Sequence, residues 1–178
     1  MSRLATINVN EATGVTGDLF AGITKAIGRV PNVYATIGTH SPAALSVALG
    51  GDAVLAKSGL DKRDIEAIML SVSEVAGCDY CVAAHSAIAK MVGLPPDDAK
   101  RIRAGHATGN EKRDALVAFV RHLVTTRGTI DQASLDEVRA AGYSEAQVIG
   151  MLYAISAVTF TNLVNRVNDT VIDFPAVS

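Results

Sequence analysis

Residues 64–94 read DIEAIMLSVSEVAGCDYCVAAHSAIAKMVGL, and this stretch decides the fold. Apolar residues recur in its first half with the period of a helix, and Gly77 then breaks the pattern. Both cysteines of the chain, Cys78 and Cys81, follow the break, and His85 stands four residues after the second. The pattern predicts two consecutive helices, with the cysteines in the first turn of the second helix.

The rest of the chain carries the same helical pattern. Hydrophobic residues make up 49% of the 178 residues, but aromatic residues only 4%, so the core must be built from aliphatic side chains. We therefore expect an all-α fold in a single domain, residues 1–178, with residues 1–16 as an N-terminal arm. Start and stop signals predict helices near 17–29, 41–57, 62–76, 79–92, 96–104, 111–127, 131–141 and 144–160, and a final helix ending near 168.

Charge and hydropathy exclude two classes of partner. The chain has 16 basic and 18 acidic residues in a scattered arrangement, which gives no basic patch for nucleic acid. No uninterrupted apolar run approaches the roughly 20 residues of a membrane span. The N-terminus MSRLATINVNEATG lacks the features of a secretory signal, so we expect a cytoplasmic protein. The mean hydropathy of +0.27 is high, and this surplus apolar surface predicts a homo-oligomer.

Two parts of the chain resemble each other. Residues 59–81 align without a gap with residues 142–164. Any two amphipathic helices match in some register, so a chance match stays open as an alternative. If the match is a true repeat, its second copy has Thr161 and Val164 where the first has the cysteines. Only the first copy would then carry the chemistry.

The spacing of the cysteines and the histidine suits thiol chemistry. On a helix, Cys81 lies at about −60° and His85 at about −20° relative to Cys78, so all three share one face. Cys81 and His85 are one turn apart, about 6 Å along the axis, which lets an imidazole pair with a thiol. Gly77 and Asp79 supply a break and an N-cap, and a helix N-terminus stabilises a thiolate. Two such cysteines can also close a disulfide, so one can attack an oxidant and the other resolve the product.

Other interpretations of these residues remain open. The cysteines could be buried structural residues beside a core histidine. Zinc could use Cys78, Cys81 and His85, but one turn rarely supplies three ligands, and no second CxxC closes the site. Haem attachment needs histidine directly after Cys81, where Val82 stands. A thioredoxin fold needs a strand before the CxxC, and residues 65–76 have helical period instead.

Two acids precede the cysteines on the first helix. With Ile65 set at 0°, the apolar stripe spans roughly −80° to +40°, Glu66 falls near +100° and Glu74 near 180°. We expect Glu66 to be partly desolvated and to pass protons toward His85, although a solvated flank position is the alternative. Glu74 remains a second candidate, better explained as a solvated residue. Tyr80 is a further candidate, either donating a hydrogen bond to a peroxide oxygen or packing.

Three asparagines recur at a helical spacing of three near the end of the chain: Asn162, Asn165 and Asn168. Such a row can hydrogen-bond across a subunit contact or line a pocket. A solvated helix face explains it equally well, and we assign no catalysis to it.

The motif resembles that of the alkylhydroperoxidase D-like proteins, within the carboxymuconolactone decarboxylase superfamily. The family pattern is a glutamate, eleven residues and then CxxCxxxH, which here is Glu66, Cys78, Cys81 and His85. The segments PNVYATIGTHSPAAL and FTNLVNRVNDTVIDFP also resemble the longer members, so the resemblance covers about residues 30–175.

The resemblance implies an all-helical bundle around a helical hairpin, with no metal and no organic cofactor, assembled as a trimer or hexamer. It also implies hydroperoxide reduction. Cys81, activated by His85 and Glu66, would attack the peroxide, and Cys78 would be the resolving cysteine, exposed to a dihydrolipoyl carrier or another thiol reductant. The best-known peroxidase has histidine between its cysteines, where this chain has Asp79 and Tyr80. That departure leaves substrate and reductant open.

The leading hypothesis is therefore a thiol-dependent peroxidase for hydroperoxides. The second is a carboxymuconolactone decarboxylase-like enzyme, which needs no thiols. It is disfavoured because the decarboxylase branch generally lacks the CxxC pair. The third is a redox sensor without catalysis, whose disulfide shifts a helical interface.

Overall fold

The computed structural model describes residues 2–177, and within this range it is helical, with no β-strand. A short 3₁₀ helix, Val9–Glu11, comes first. The α-helices are α1 Gly14–Ile27, α2 Asn32–His40, α3 Pro42–Ala56, α4 Lys62–Val75, α5 Asp79–Met91, α6 Pro96–Ala104, α7 Glu111–Thr125, α8 Gln132–Ala140 and α9 Glu145–Asn168. The predicted all-α class is confirmed. The single-domain organisation stays a prediction.

Helix α2 was not predicted from the sequence. Its sequence, NVYATIGTH, combines β-branched residues with a glycine, and both have low helix propensity. Tertiary packing stabilises it instead: Gly38 lies against Phe20 and Leu45, where an added Cβ would clash with both side chains. Five of the nine residues of α2 are buried, so contact with neighbouring helices outweighs the local preference.

Helix α9 is one continuous helix, where two were predicted. Ser144 and Gln147 form a capping box at its start, in which each side chain accepts a hydrogen bond from the other residue's backbone N–H. No glycine or proline follows Gly150 within the helix, so nothing ends it before Asp169, which caps it in the left-handed conformation with φ 52°. The predicted boundary near residue 160 was wrong because that position carries no stop signal.

By length and hydropathy alone, α9 also suits a membrane span, with 24 residues and a mean hydropathy of 1.5. Such a test is passed equally by core helices of soluble proteins. Here the inner face of α9 packs along α4 and carries three buried asparagines. These contacts show that the inner face of α9 packs against the rest of the bundle.

Helix α4 lies at the centre of the bundle, in contact with α5, α6, α7 and α9. A buried network fixes its first turn, because Asp64 accepts hydrogen bonds from Arg113 Nε at 2.9 Å and from the Tyr143 hydroxyl at 2.8 Å. Burial, followed by the bond to Asp64, raises the pKa of Tyr143 above its ordinary value. The network ties α4 to α7 two residues before Glu66 and so sets the rotation of α4.

The buried apolar residues form two clusters. The larger one surrounds α4, α7 and α9, with Ile68, Leu116 and Met151 among its fully buried members. The smaller one is built mainly from α1, α2 and α3 and includes both cysteines. Burying one such aliphatic side chain contributes about 1.5–3 kcal/mol, so helices α1–α3 make a stable apolar cover for the sulfurs.

Candidate active site

The turn between α4 and α5 positions the cysteines. Gly77 is in the left-handed region at φ 64°, where glycine is favoured. The Cys78 N–H donates to the Ser73 carbonyl and the Gly77 N–H to the Glu74 carbonyl, both at 3.0 Å. This is the Schellman arrangement, which satisfies the last carbonyls of α4 and reverses the chain. It brings Cys78 to the start of α5.

Cys78 is itself the N-cap of α5, and its sulfur accepts a hydrogen bond from the Cys81 N–H at 3.3 Å. The expectation that Asp79 would be the N-cap was wrong, because the sharp turn at Gly77 places the cap one residue earlier and makes Asp79 the first helical residue. Both sulfurs nevertheless lie at the positive end of the helix dipole, as predicted.

The two cysteines are joined by a disulfide, with their Cα atoms 5.3 Å apart. The predicted proximity of the two sulfurs is confirmed. Each cysteine is only 2% exposed, so the expectation of an exposed Cys78 was wrong for this oxidised state. The reason is long-range cover: apolar residues of α1 and α2 pack around the pair. Residues Thr170–Ile172 line the remaining opening beside Cys78.

The carboxylate of Glu66 and the imidazole of His85 meet between α4 and α5. His85 Nδ1 lies 3.0 Å from Glu66 Oε2, and both side chains are largely buried. Because a carboxylate only accepts, this contact assigns the proton to Nδ1 and leaves Nε2 as the nitrogen that can take up or release a second proton. The prediction that Glu66 faces His85 agrees with this geometry.

Glu74 occupies a different side of α4. Its carboxylate accepts from Arg103 Nε at 2.7 Å, and the Glu74 side chain is 38% exposed. This agrees with the predicted position near 180° on the helical wheel. Of the two candidate acids, the structure therefore brings only Glu66 to His85.

Tyr80 anchors the end of the chain. Its hydroxyl donates to Asp173 Oδ1 at 2.7 Å and accepts from the Val33 N–H at 3.3 Å. Phe174 packs edge-on against the Tyr80 ring, with centroids 5.5 Å apart, and the Arg29 guanidinium lies over Phe174. Burial, then the bond to Asp173, raises the pKa of Tyr80. We call residues 170–177 the C-terminal strap. The Tyr80 hydroxyl proton is thus used in a hydrogen bond to this strap.

The asparagine row faces inward, so the solvated-face interpretation was wrong. Asn162 and Asn165 are 2% and 4% exposed, and Asn168 is fully buried. Asn162 accepts from the Ser73 hydroxyl at 3.2 Å, and Asn165 Nδ2 donates to Cys81 Sγ at 3.2 Å. Sequence reasoning missed this contact with the sulfur. The signal was present in the spacing of three along an apolar helix.

A hollow of about 400 Å³ opens beside His85. We call it the His85 hollow. Its polar side chains are those of His85, Tyr34, Asp52, Tyr153, Ser156 and Thr161, and its apolar wall includes Val47, Leu55, Met69, Val158 and Phe160. Loss of hydration, and then the nearby Glu66 charge, raise the pKa of Asp52, while His85 opposes the rise. Burial, and then the charge of Asp52, raise the pKa of Tyr34. Neither Tyr34 nor Asp52 was singled out from the sequence.

A second hollow, of about 370 Å³, opens beside Cys78. We call it the Cys78 hollow. It is lined by the first turn of α5, by the end of α9 around Asn165 and by the C-terminal strap. It shares no lining residue with the His85 hollow. The disulfide and its histidine are therefore approached from two separate openings.

The carboxymuconolactone decarboxylase family model matches residues 43–121, which include the glutamate, both cysteines and the histidine. Residues 43–121 are therefore similar to this family, and the match covers less than half of the 178 residues. No curated protein sequence matches the chain significantly.

Solved structures show the same alkylhydroperoxidase D-like fold across nearly the whole chain. An uncharacterized peroxidase-related protein from Ralstonia eutropha JMP134, described as an alkylhydroperoxidase AhpD core, is 20% identical over 97% of this chain and 92% of its own, with a TM-score of 0.86. A peroxidase-related protein from Silicibacter sp. TM1040 is 19% identical over 96% and 94%, with a TM-score of 0.79.

A third similar structure is the apo form of the debrominase Bmp8, which is 25% identical over 97% of this chain and 93% of its own, with a TM-score of 0.79. Bmp8 has also been solved in complex with 2,3,4-tribromopyrrole. Structures with this fold therefore include proteins described as peroxidase-related and one described as a debrominase.

Within residues 2–177, no group of three or more His, Cys, Asp or Glu side chains is arranged to hold a metal ion. The site offers two sulfurs that can exist as a dithiol or a disulfide, and a hydrogen-bonded imidazole–carboxylate pair one turn away. Such a set can form a thiolate, move a proton and exchange a disulfide.

Proposed function

We propose that this protein is a thiol-dependent peroxidase that reduces organic hydroperoxides. The observation that carries the proposal is the Cys78–Cys81 disulfide at the N-terminus of α5, one turn before a largely buried His85–Glu66 pair. A helix N-terminus and a nearby imidazole both favour a reactive thiolate, and a partner cysteine in the same turn favours rapid disulfide closure.

In the first step, the Cys81 thiolate attacks the terminal oxygen of the hydroperoxide. A sulfur–oxygen bond forms, the oxygen–oxygen bond breaks, and the alkoxide leaves with a proton as an alcohol. In the second step, the Cys78 sulfur attacks the sulfenic acid of Cys81, which closes the disulfide and releases water. A dithiol reductant then restores both thiols by exchange and leaves as a disulfide. The net reaction is hydroperoxide plus dithiol to alcohol, water and disulfide.

In this mechanism His85 and Glu66 handle protons. His85 Nε2 takes the proton of the Cys81 thiol and returns it to the departing alkoxide. The Glu66 carboxylate holds the imidazole through Nδ1 and stabilises its protonated form. Because both side chains are largely buried, the pair acts in a medium where charge interactions are stronger than in water.

The two hollows suggest how the two reactants arrive. The His85 hollow combines an apolar wall with a few polar groups and has the size of a small-molecule pocket, which favours a hydroperoxide with an apolar body. The Cys78 hollow supports Cys78 as the sulfur that the reductant attacks, and we propose a dihydrolipoyl-type carrier or another dithiol for this role.

We also propose that the protein is cytoplasmic and a homo-oligomer, a trimer or hexamer. The outer face of α9 supports the assembly, since it exposes a row of large apolar side chains: Ile149, Leu152, Leu163 and Val167. Such a row is typical of a surface that meets another subunit.

The alternatives make different demands on the sulfurs. A carboxymuconolactone decarboxylase-like enzyme would keep its activity when both cysteines are replaced by serine. A redox sensor without catalysis would change its oligomeric state with reductant, whereas a catalyst need not.

The deciding test compares Cys81→Ser with Cys78→Ser in an organic hydroperoxide assay with dihydrolipoamide. We expect Cys81→Ser to abolish turnover. Cys78→Ser should still consume one equivalent of hydroperoxide and stop at the sulfenic acid of Cys81, detectable by dimedone labelling. Retained turnover in Cys81→Ser would reject Cys81 as the attacking residue.

A further inference from the structure

The side chain of Asn165 reaches the sulfur that the mechanism uses. Its Nδ2 donates to Cys81 Sγ at 3.2 Å, within hydrogen-bonding range for sulfur, although the two residues are 84 positions apart in the chain. Asn165 lies on α9, a different helix from the one that carries the cysteines, and only 4% of it is exposed. The amide is therefore held in place by the packing of α9.

The side-chain amide of Asn165 lowers the free energy of unfolding at this position. Its Oδ1 is buried and has no hydrogen-bond partner among residues 2–177. The cluster around the disulfide is otherwise mainly apolar, with Phe20, Ile37 and Leu45 among its members. A buried carbonyl without a partner destabilises a fold, and an aliphatic side chain of the same size would pack there without that cost. Packing alone thus gives no reason for an asparagine at this position.

The redox chemistry of the site supplies a reason. A disulfide sulfur is a weak hydrogen-bond acceptor, whereas a thiolate carries a full negative charge and accepts far more strongly. The Asn165 N–H group therefore gains interaction energy when the disulfide is reduced. Because α9 already holds the donor at 3.2 Å, little reorganisation is needed when the charge forms.

We propose that the side-chain amide of Asn165 is a catalytic group that stabilises the Cys81 thiolate through a hydrogen bond from Nδ2 to the sulfur. This inference rests on the proposed role of Cys81. It adds a third source of thiolate stabilisation, after the N-terminus of α5 and His85, and it comes from a helix outside the CxxCxxxH motif.

Other ionisable groups surround the site and stay unchanged in the test. The apolar residues that α1, α2 and α3 contribute to the cluster carry no charge. The ionisable side chains that line the two hollows or contact His85 are Tyr34, Asp52, Glu66, Asp79, Tyr80, Tyr153, Arg166 and Asp169. Replacing Asn165 alone therefore isolates the contribution of its amide.

The test measures the pKa of Cys81 from the pH dependence of iodoacetamide alkylation. A Cys78→Ser background leaves Cys81 as the one thiol of the chain. We expect Asn165→Leu to raise the Cys81 pKa by about one unit. At pH values below that pKa, the fraction of Cys81 present as thiolate falls about tenfold. Each thiolate is more nucleophilic because its pKa is higher, which offsets part of the loss, so alkylation slows about threefold. An unchanged pKa in Asn165→Leu would overturn the inference.

Asn162→Leu is the matched control. Asn162 is equally buried and one turn away on the same face of α9, but its side chain accepts a hydrogen bond from the Ser73 hydroxyl and does not contact a sulfur through a hydrogen bond. We expect the Cys81 pKa to stay at its starting value in this variant. A rise equal to that in Asn165→Leu would assign the effect to general disturbance of α9 and would also overturn the inference.

Asn165→Asp keeps the shape of the side chain and serves where the leucine variant does not fold. It replaces the donor with a carboxyl group, so we expect a larger rise in the Cys81 pKa than in Asn165→Leu. An unchanged or lower pKa would contradict the inference. The pKa measurement needs no peroxide and is therefore independent of the proposed function. If Asn165→Leu raises the Cys81 pKa but the protein with both cysteines reduces no hydroperoxide, the role of Asn165 is supported and the proposed function is rejected. If the protein with both cysteines reduces hydroperoxide but Asn165→Leu leaves the Cys81 pKa unchanged, the proposed function is supported and the role of Asn165 is rejected.

Discussion

The segments 59–81 and 142–164 begin alike and end differently. Each starts with a glycine in the left-handed conformation, Gly59 at φ 75° and Gly142 at φ 90°, and each has its helix N-cap two residues later. The first helix stops at Val75, and the chain turns into α5. The second continues to Asn168 without a break.

Helices α4 and α9 begin alike, but each contributes a different feature to the site. The break at Gly77 creates a new helix N-terminus, at which the two sulfurs lie. The uninterrupted helix α9 packs along α4 and carries Asn165 to Cys81. Asn165 lies one residue beyond the second segment, so the expectation that only the first copy holds the chemistry stays a prediction. Whether the two segments are a true repeat stays a prediction.

Replacing His85, which lies on α5 just after the first segment, should have the largest effect. We expect His85→Gln to slow hydroperoxide reduction near neutral pH by about 10² to 10⁴-fold, the usual contribution of general acid–base catalysis. The same variant should raise the pKa of the Cys81 thiol, since an imidazolium no longer stabilises the thiolate. An alkylation pH profile identical to that of the unchanged protein would remove His85 from the mechanism.

A smaller loss of activity should follow when the negative charge of Glu66, which contacts His85, is removed. Glu66→Gln keeps a hydrogen-bond acceptor for Nδ1 but no negative charge, so we expect kcat/KM to fall about tenfold. Glu74→Gln is the matched control on the same helix, because Glu74 pairs with Arg103 at the surface. It should leave the rate within about twofold, since exposed ion pairs contribute little. Equal losses in the two variants would contradict the assignment of Glu66.

The need for glycine at position 77, in the turn between α4 and α5, can be tested by measuring the free energy of unfolding. Gly77→Ala places a Cβ on a residue at φ 64°, which costs about 1–2 kcal/mol in the free energy of unfolding although no atom beyond the two chain neighbours lies within 4 Å of the added carbon. Gly22→Ala, in the middle of α1 with equally open surroundings, should instead be neutral or stabilise by up to about 1 kcal/mol. Urea denaturation measures both. A Gly77→Ala variant as stable as Gly22→Ala would show that the turn does not need the left-handed conformation.

Local periodicity was enough to predict much of the fold and of the site. The hairpin of α4 and α5, the shared face of Cys81 and His85 and the preference for Glu66 over Glu74 all follow from 100° per residue on a single helix or a neighbouring pair. These features depend on residues close in sequence, which is why the pattern alone contains them.

Features that depend on distant residues could not be predicted in this way. Helix α2 forms because Phe20 and Leu45 enclose Gly38, against its local propensity. The burial of Cys78 comes from helices α1 and α2 and from the C-terminal strap. The contact of Asn165 with Cys81 joins residues far apart in the chain. No helical wheel reports how two helices are rotated against each other.

The central claim is that Cys81 and Cys78 pass through a peroxide-driven dithiol–disulfide cycle. The most direct measurement is the intact mass and free-thiol count of the reduced protein before and after one equivalent of an organic hydroperoxide, followed by dihydrolipoamide. The account predicts that both thiols disappear with no oxygen added to the mass, and that dihydrolipoamide restores them. Two thiols that survive the hydroperoxide unchanged would contradict it.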